Sequence, residues 1–278
     1  MDRVSKSRRY YTTVEKYHDL AEASHADQMF DKSLIAPFMN NGLVLDVGAG
    51  TGFSSELFEI SPDRYIAFDF SQIGLSQVIR KERGSAVVGD AALLSFRDCR
   101  FDSVLCSWAL EHFENPHGVL DEMLRVVKIG GRIIIWGPNW DNIFRKDFPQ
   151  FSHKGNAYLW KIRLLIFLRM IRNEFLPFHY HPYVNTDVAA FAKPDSNISG
   201  DTDAVHCVLC QETVKFFARR SARVLCISDF SQMTKHLYND PLVRVARRAI
   251  RPLLPVLRRV PLLRWFVLRF PLVLERTA

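Results

Sequence analysis

A glycine-rich loop follows the first apolar run of the sequence, in the stretch VLDVGAGTG. Its glycines are Gly48, Gly50 and Gly52, and the absence of side chains there lets a ligand approach the backbone closely. The helix expected after the loop would direct its N-terminal amide groups at such a ligand. The third glycine comes one residue earlier than in the G-x-G-x-x-G of dinucleotide enzymes, and Asp46 precedes the loop inside the run. Both features favour a ligand other than a dinucleotide.

Further carboxylates stand at the ends of the next two apolar runs. Asp69 ends YIAFD, and a carboxylate at that strand end can accept both ribose hydroxyls of a nucleoside. Asp90 ends VVGD, where it can accept a hydrogen bond from an exocyclic adenine amine. Each of them alone is explained as readily as a helix cap or a turn residue. Together with Asp46, however, they close the first three predicted strands, where α/β folds bind ligands.

Short β-rich runs alternate with helical stretches over the first half of the chain. The predicted strands are Leu43–Val47, Tyr65–Phe68, Ala86–Val88, Phe101–Cys106 and Arg132–Trp136. Helical stretches such as 72–83 and 116–127 lie between them. Apolar strands without strict alternation are typical of a parallel sheet with helices on both faces. The pattern predicts an α/β, doubly wound, Rossmann-like sheet.

The organisation of the chain changes after this core. We divide the sequence into four parts. They are an N-terminal helical segment (1–40), a ligand-binding core (41–137), an aromatic-rich insert on the substrate side (138–203) and a last part that completes the α/β core (204–278). The last part is predicted to contain a helix around 211–220 and a strand around 223–228. A basic amphipathic insert at about 231–266 precedes PLVLERT, which reads as the final strand.

Four motifs, in order and with the expected spacing, resemble the type 11 group of class I methyltransferases, which depend on S-adenosylmethionine (SAM). The motifs are VLDVGAGTG, FDFS, GDAALLSF and FDSVLCSWALEHFENPHGVLDEMLRVVKIGGRIII, within residues 43–137. The resemblance implies that SAM is the cofactor and that the chain is an enzyme. It also implies that Asp46 and the loop Gly48–Gly52, with Ala49, surround the methionine part of SAM. Asp69, followed by Phe70, would then hold the ribose.

The resemblance extends to the third and fourth strands, where it places Asp90 and Ala91 beside the adenine. It places Ser107 and Trp108 beside the sulfonium. Enzymes that methylate nucleobase amino groups often carry an Asp/Asn-Pro-Pro-Tyr/Phe motif after the fourth strand, but this chain has Ser-Trp-Ala-Leu there. It also lacks the Pro-Cys pair needed for cytosine C5 methylation, and it shows no basic groove interleaved with aromatics. We therefore expect no nucleic-acid partner.

His112, in ALEHF after the fourth predicted strand, is the candidate catalytic residue. An alcohol or phenol acceptor benefits from a base of near-neutral pKa, which a histidine provides. In the family this position either contacts the substrate or packs, and both roles stay open. His179 and His181, in FHYHPY, are better explained by a polar turn.

We predict O-methylation of a small or lipid-linked acceptor, such as a glycan or a quinone-like ring. Two alternatives remain. One is a non-catalytic SAM-binding partner or scaffold domain. The other is an NAD-dependent oxidoreductase on the same fold, which the glycine spacing disfavours.

The formal net charge of +7 is concentrated near the C-terminus. Between Pro241 and Leu274 there are eight arginines and no acidic residue. A helix is predicted after Asp240-Pro241, and its arginines on one face are Arg244, Arg247, Arg248 and Arg251. Basic helices with Trp and Leu are typical of membrane interfaces, although packing on the domain has the same periodicity. We expect an anionic membrane surface as a partner, with the alternative of a solvated rim.

Five cysteines without framework spacing suggest reduced thiols. Cys207 and Cys210 form a lone C-x-x-C beside His206, and a zinc site needs about four ligands. We therefore expect no metal. The sequence shows neither a secretory signal nor a run of apolar residues long enough to cross a bilayer, so we expect a cytoplasmic protein, peripheral on the membrane at most.

Overall fold

The computed structural model describes residues 17–19, 22, 32–39, 41–138, 140–141, 156–177, 183–184, 206–229 and 251–278. Its strands are β1 (Val44–Val47), β2 (Tyr65–Asp69), β3 (Ser85–Val88), β4 (Phe101–Ser107), β5 (Val127–Trp136), β6 (Tyr183–Val184), β7 (His206–Cys207), β8 (Ala222–Asp229) and β9 (Leu268–Arg276). Its α-helices are α1 (Phe53–Leu57), α2 (Gln72–Arg80), α3 (Pro116–Val126), α4 (Asn156–Phe175), α5 (Cys210–Ala218), α6 (Leu254–Leu257) and α7 (Leu263–Val267). Short 3₁₀ helices occur at Lys32–Leu34, Ala36–Phe38, Pro62–Arg64 and Arg251–Leu253.

Seven of these strands form one sheet, in the order β3-β2-β1-β4-β5-β9-β8. Strands β1 to β5 are parallel, and β9 lies antiparallel between β5 and β8. The chain order reverses between β1 and β4, and a doubly wound sheet opens a crevice at such a point. The predicted fold class is confirmed, including the return of the last segment to the sheet as β9.

Alternate residues of the central strands enter two different cores. In β5, Ile133 and Ile135 belong to one buried cluster and Ile134 to another, and Val104 and Leu105 of β4 divide in the same way. Successive side chains of a strand point to opposite faces, so both faces of this sheet are covered. This explains why the strands read as continuous apolar runs.

Helix α4 packs through Ile162, Ile166 and Met170, which are almost fully buried. They share a third apolar cluster with Trp140 and Trp265, which lie after β5 and in α7. The spacing of four residues places the three α4 side chains on one face of the helix. The long helix is therefore attached to the core beyond the carboxyl end of β5.

A buried polar group joins α5 to the same region. Asp141, which is fully buried, accepts hydrogen bonds from the backbone amides of Cys210 and Gln211 at 2.6 and 2.9 Å. Burial raises the pKa of Asp141 to about 7, although those two amide bonds lower it. Cys207 and Cys210 are both buried.

Several sequence-based predictions fall outside the described residues. They include the helix with Arg244, Arg247 and Arg248, most of the two predicted inserts, and the pair His179 and His181. The domain boundaries therefore stay predictions. Among the described helices, none is both long and apolar enough to cross a bilayer.

The described part of the arginine-rich segment, 251–278, divides its apolar residues between core and surface. Leu254 and Trp265 are buried, whereas Leu253 and Leu263 are 53% and 42% exposed. Packing on the domain therefore accounts for part of this segment and leaves an apolar surface unexplained.

Candidate functional site

A pocket with an empty volume of ≈ 900 Å³, counted out to its mouth, opens where β1, β2, β4 and β5 end. Its wall includes Gly50 from the loop after β1, Asp69 at the end of β2, Ser107 at the end of β4 and Trp136 at the end of β5. This is the crevice at which parallel α/β sheets bind ligands. The sequence-based location of the ligand site is therefore where the structure has its pocket.

Asp69 is held in a fixed orientation by the backbone. Its Oδ2 accepts a hydrogen bond from the Gly50 amide at 2.9 Å, and its Oδ1 accepts one from the Ser71 amide at 2.8 Å. A carboxylate offers about four acceptor positions, so each oxygen can accept one more hydrogen bond. Burial raises the pKa of Asp69, and the two amide bonds and nearby His18 lower it. The side chain is thus a preoriented acceptor for a diol.

The glycine loop shapes the pocket and donates few hydrogen bonds to it. The amides of Gly48 and Ala49 are bonded to the Phe68 carbonyl, and the Gly50 amide is bonded to Asp69. Gly50 has a left-handed backbone, with φ +51°, and a Cβ added there would meet only His18, at 3.8 Å. The loop therefore leaves space where a ligand can lie against the backbone.

Asp46 lies behind the loop and does not line the pocket. It is 1% exposed and accepts a hydrogen bond from the Tyr65 hydroxyl at 2.5 Å. Burial raises the pKa of Asp46 to about 6, against hydrogen bonds from Tyr65 and Ser54 that lower it, while the charge of Asp69 raises it. Ser54 itself lines the pocket. Asp46 can therefore act on a ligand through the Ser54 hydroxyl.

Residues near the N-terminus form a roof over the cofactor side of the pocket. Tyr17, His18 and Glu22 line it, and the His18 ring bonds to the Ser71 hydroxyl at 2.9 Å. Arg83 fastens this segment, since it binds Glu22 at 2.9 and 3.0 Å and also bonds to the Thr51 carbonyl. Hydrogen bonds from Arg83, Thr51 and Lys81 lower the pKa of Glu22 to about 2, against its desolvation.

Two tryptophans form the other side of the pocket. The rings of Trp108 and Trp136 lie 6.1 Å apart between centroids, at 57° to one another. Trp108 has a left-handed backbone with φ +51°, and its amide donates to the Trp136 carbonyl at 2.7 Å. A bulky residue in this conformation is uncommon, and such outliers concentrate at functional sites. Phe113 and Leu57 extend the apolar wall.

His112 lies at the same wall, with 16% of its side chain exposed. Its Nε2 is 3.9 Å from Oε1 of Glu111, a carboxylate that is only 2% exposed. A buried carboxylate at this distance stabilises positive charge on the imidazole ring. The pair can therefore accept and hold a proton beside the two tryptophans.

Comparison with known proteins agrees with this geometry. Residues 45–135 match the family described as Methyltransferase domain. Residues 45–135 therefore carry a methyltransferase domain. Over 100 residues it is 45% identical to the demethylmenaquinone methyltransferase of Thermobifida fusca (strain YX), with 34% of this chain and 42% of that protein covered. The match thus spans about two fifths of that relative's length.

The fold of the methyltransferase domain and its additions recurs in solved structures. One is the protein that binds the Trm112 methyltransferase activator of Haloferax volcanii, with a TM-score of 0.55 and 15% identity, covering 96% of this chain and 98% of that one. Another is a SAM-dependent methyltransferase of Mesorhizobium loti, with a TM-score of 0.51 and 14% identity, covering 88% and 96%. At these identities the likeness shows the fold alone.

Most of the site residues predicted from the sequence line the pocket of the methyltransferase domain. They are Gly48, Ala49, Gly50, Asp69, Phe70, Ser107, Trp108 and His112. Gly52 is the residue before α1, where a Cβ would approach Val78 to 2.9 Å, so its glycine serves packing. Asp46 lies behind the loop, as described above.

Asp90 and Ala91 are not among the residues that line the pocket. Asp90 is exposed, and its Oδ1 accepts the Ala92 amide at 2.9 Å, while Ala91 is buried. This is the turn arrangement that the sequence allowed as an alternative for Asp90. Their assignment to adenine stays a prediction.

Sequence reasoning missed the roof residues and the partner of His112. No motif singles out His18 or Glu22, because their place depends on how the N-terminal segment docks. Glu111, by contrast, adjoins His112 in ALEH, and Trp136 ends a predicted strand. Glu111 could have been found from the sequence, because it is a polar residue inside an apolar stretch that follows a strand.

Proposed function

We propose that this chain transfers a methyl group from SAM to a hydroxyl of a reduced quinone-like ring that carries a lipid tail. The observation that supports it most is one pocket that joins an oriented diol acceptor, Asp69, to a wall of two tryptophans beside His112. The part of the pocket around Asp69 suits a nucleoside. The part around the two tryptophans and His112 suits a flat, apolar acceptor with an ionisable hydroxyl.

The residues of the pocket fit SAM. Asp69 has one acceptor position left on each oxygen for the ribose hydroxyls. The space beside Gly50 admits a ligand against the backbone, and the hydroxyls of Thr51 and Ser54 line the same region. Their polar groups suit the methionine end of the cofactor. When bound, SAM supplies an electrophilic methyl group on a positively charged sulfur.

The aromatic wall would position the acceptor. Trp108 and Trp136 offer ring faces and edges that stack on a flat ring, and Trp108 can also face a sulfonium, because aromatic faces attract cations. Methyl transfer depends mainly on alignment and on the exclusion of water. The buried Trp136 and the roof of Tyr17 and His18 would provide that exclusion.

His112 would act as the base. Its Nε2 faces Glu111, so Nδ1 would accept the hydroxyl proton of the acceptor. Glu111 then stabilises the imidazolium that results. Ionisation of a phenol also places electron density on the neighbouring ring carbon. Analysis of the product is therefore needed to show which atom is methylated.

The relatives support the acceptor class. Four curated relatives that carry the name demethylmenaquinone methyltransferase are 38–45% identical over 94–109 residues, which is 39–43% of their own length. Because the matches span less than half of each relative, the quinone-like ring comes to this chain as a proposal. A lipid-linked acceptor of this kind implies an anionic membrane surface as the second partner.

The proposal is tested with purified protein, isotopically labelled SAM and three acceptors. These are a reduced naphthoquinone with a prenyl tail, the same ring without the tail, and a water-soluble glycan. Methylated product from the prenylated ring supports the acceptor class. Tandem mass spectrometry that locates the methyl group on oxygen supports transfer to a hydroxyl, whereas a methyl group on a ring carbon refutes that part of the proposal. Methylation of the glycan alone refutes the acceptor class.

Calorimetry separates the alternatives. SAM binding without transfer to any acceptor would leave a SAM-binding scaffold, whereas binding of NAD in place of SAM would indicate an oxidoreductase. The His112→Ala variant is the matched control for transfer, because it removes the proposed base and leaves Asp69 in place.

A further inference from the structure

Helix α4 is apolar on two opposite faces. The inward face, with Ile162, Ile166 and Met170, is buried against Trp140 and Trp265. A helix at the surface of a globular protein normally exposes polar residues on its other face. The outward face of α4 departs from this pattern and needs an explanation.

The outward face carries large apolar side chains at helical spacing. Trp160, Leu164, Leu168 and Phe175 are 61%, 56%, 51% and 66% exposed. Positions four and seven residues apart lie on one side of a helix, so these four form a continuous stripe about 22 Å long. We call them the α4 stripe. Contiguous exposed apolar surface of this kind marks an interaction site.

The charges around the stripe are positive. Lys161 and Arg172 are exposed on α4, and Arg163 stacks over the Trp160 ring at 4.9 Å. The described carboxylate of α4 is Glu174, whose side chain is 5% exposed and which binds Arg264 at 2.7 Å. The surface of the helix is thus apolar and cationic, without an exposed carboxylate on its described residues.

The segment 251–263 has a similar exposed surface. Arg251, Arg258 and Arg259 are exposed, together with Leu253 and Val256 at 53% and 60%. The same chain segment leads into α7, where Arg264 and Trp265 bond to Glu174 of α4. The bonds to Glu174 therefore hold the end of this segment against α4.

We propose that the α4 stripe and the segment 251–263 dock this protein on an anionic lipid bilayer, with α4 lying in the headgroup region. Tryptophan, leucine and cationic side chains on one face are the composition of interfacial helices. Lysine and arginine stems can cover apolar surface while their charges reach the phosphates. The charged residues of α4 prevent it from crossing the bilayer.

A second copy of the chain fits this face less well. A twofold interface places the same patch against itself, so Lys161 and Arg172 would face their own copies. Such like charges repel one another. An anionic bilayer removes that repulsion and covers the apolar residues together.

Docking at this face would bring a lipid-linked acceptor close to the pocket. Trp140 shares a buried cluster with Ile162 and Ile166 on the inward face of α4, and it shares a small cavity with Trp136, which lines the pocket. The helix that carries the stripe is therefore connected to the acceptor wall through these two tryptophans. This link rests on the proposed function, whereas binding to the bilayer needs neither SAM nor acceptor.

Co-sedimentation with vesicles tests the surface. Wild-type protein should pellet with phosphatidylcholine vesicles that contain phosphatidylglycerol, remain in solution with phosphatidylcholine alone, and be released by salt. The variant Trp160→Gln, Leu164→Gln, Leu168→Gln should bind at least about tenfold more weakly, because less apolar surface enters the bilayer. Glutamine is a good helix former, so α4 should persist.

The matched control carries the same change elsewhere on the surface. Ile79, Leu93 and Ile129 are 58%, 78% and 63% exposed. Their combined replacement by glutamine should leave vesicle binding unchanged. Unfolding temperature and circular dichroism of both variants confirm that each is folded.

Tryptophan fluorescence gives a second measurement. Of the five tryptophans, Trp136, Trp140 and Trp265 are buried, whereas Trp160 is 61% exposed. Vesicle binding should shift the emission to shorter wavelength, and Trp160→Phe should pellet like wild type with most of the shift lost. Retention of the full shift in that variant would contradict burial of Trp160.

Two results would overturn the proposal. One is equal pelleting of the stripe variant and wild type. The other is a dimer in analytical ultracentrifugation that the stripe variant abolishes, which would make the face an interface between copies. Failure of the proposed function looks different, since vesicle binding would persist without methyl transfer to any quinone-like ring.

Discussion

Replacement of Asp69 by alanine tests the cofactor half of the site most directly. The carboxylate is fixed by the amides of Gly50 and Ser71, which leaves one acceptor position on each oxygen for a ribose hydroxyl. A hydrogen bond to a charged group contributes about 1.5–3 kcal/mol, and water partly replaces what is lost. We therefore expect SAM binding to weaken by on the order of 1–3 kcal/mol, or roughly 5- to 150-fold in Kd.

Isothermal titration calorimetry with SAM and with its demethylated product measures this change. Both ligands contain the ribose, so both affinities should fall by similar factors. The matched control is Asp98→Ala, which removes an exposed carboxylate bonded to Arg125 and outside the pocket. Its affinity for SAM should equal that of the wild type.

Three outcomes of this experiment would contradict the role assigned to Asp69. A folded Asp69→Ala variant with unchanged affinity for SAM would show that the carboxylate does not hold the ribose. An equal loss in Asp98→Ala would show a general electrostatic effect. Loss for SAM but not for the demethylated product would place Asp69 near the sulfonium.

Three further results are expected. His112→Ala should lower turnover at least about tenfold through loss of the base, with the SAM Kd nearly unchanged in calorimetry; unaltered turnover would make His112 a packing residue. Glu22→Gln should loosen the roof and weaken SAM binding by less than about 1 kcal/mol in calorimetry, since its pair with Arg83 is partly exposed. Because the pKa of Glu22 is lowered from 4.5 to about 2 in the folded protein, the contribution of this pair to the free energy of unfolding should be lost as pH falls from 4.5 towards 2. Burial raises the pKa of Asp141 to about 7, so the folded form retains a proton that the unfolded form releases near pH 4. The unfolding temperature should therefore fall as the pH rises from about 4 to about 8. An Asp141→Asn variant should show a shallower fall in thermal scans across this range, and an identical slope would contradict the assignment.

The core could be predicted from the sequence because one physical signal repeats in it. Both faces of the sheet are covered, so the central strands are apolar at most positions, and the loop after β1 must be glycine-rich to leave room beside Gly50. The carboxylate of Asp69 follows from its position at a strand end. These are local features, because the residues that produce each of them lie within a few positions of one another in the sequence.

The roof and the aromatic wall depend on contacts between distant segments. His18 meets Ser71 across 53 positions, and Arg83 joins Glu22 across 61. Neither pair has a sequence pattern, because any acid or base on a docked helix could fill the role. Asp90 illustrates a different limit, since an acid after a strand suits a turn as well as a ligand. Its side chain accepts the Ala92 amide within a turn, and its assignment to adenine stays a prediction.

The difference between local features and long-range contacts corresponds largely to the difference between binding the cofactor and binding the acceptor. The residues that would face SAM lie mostly within 45–135, the span that matches the methyltransferase domain family. A nucleoside with a fixed shape demands fixed partners, so a few residue types at set spacings suffice. Of the two tryptophans in the acceptor wall, Trp136 lies just beyond the edge of that span, and the α4 residues that share a cluster with Trp140 lie further beyond it. Acceptors differ among methyltransferases, and an apolar wall can be built from many residues, so no short pattern can encode it. The exposed stripe of α4 does have a clear helical period, and it offers a test of membrane docking that does not depend on which acceptor this chain methylates.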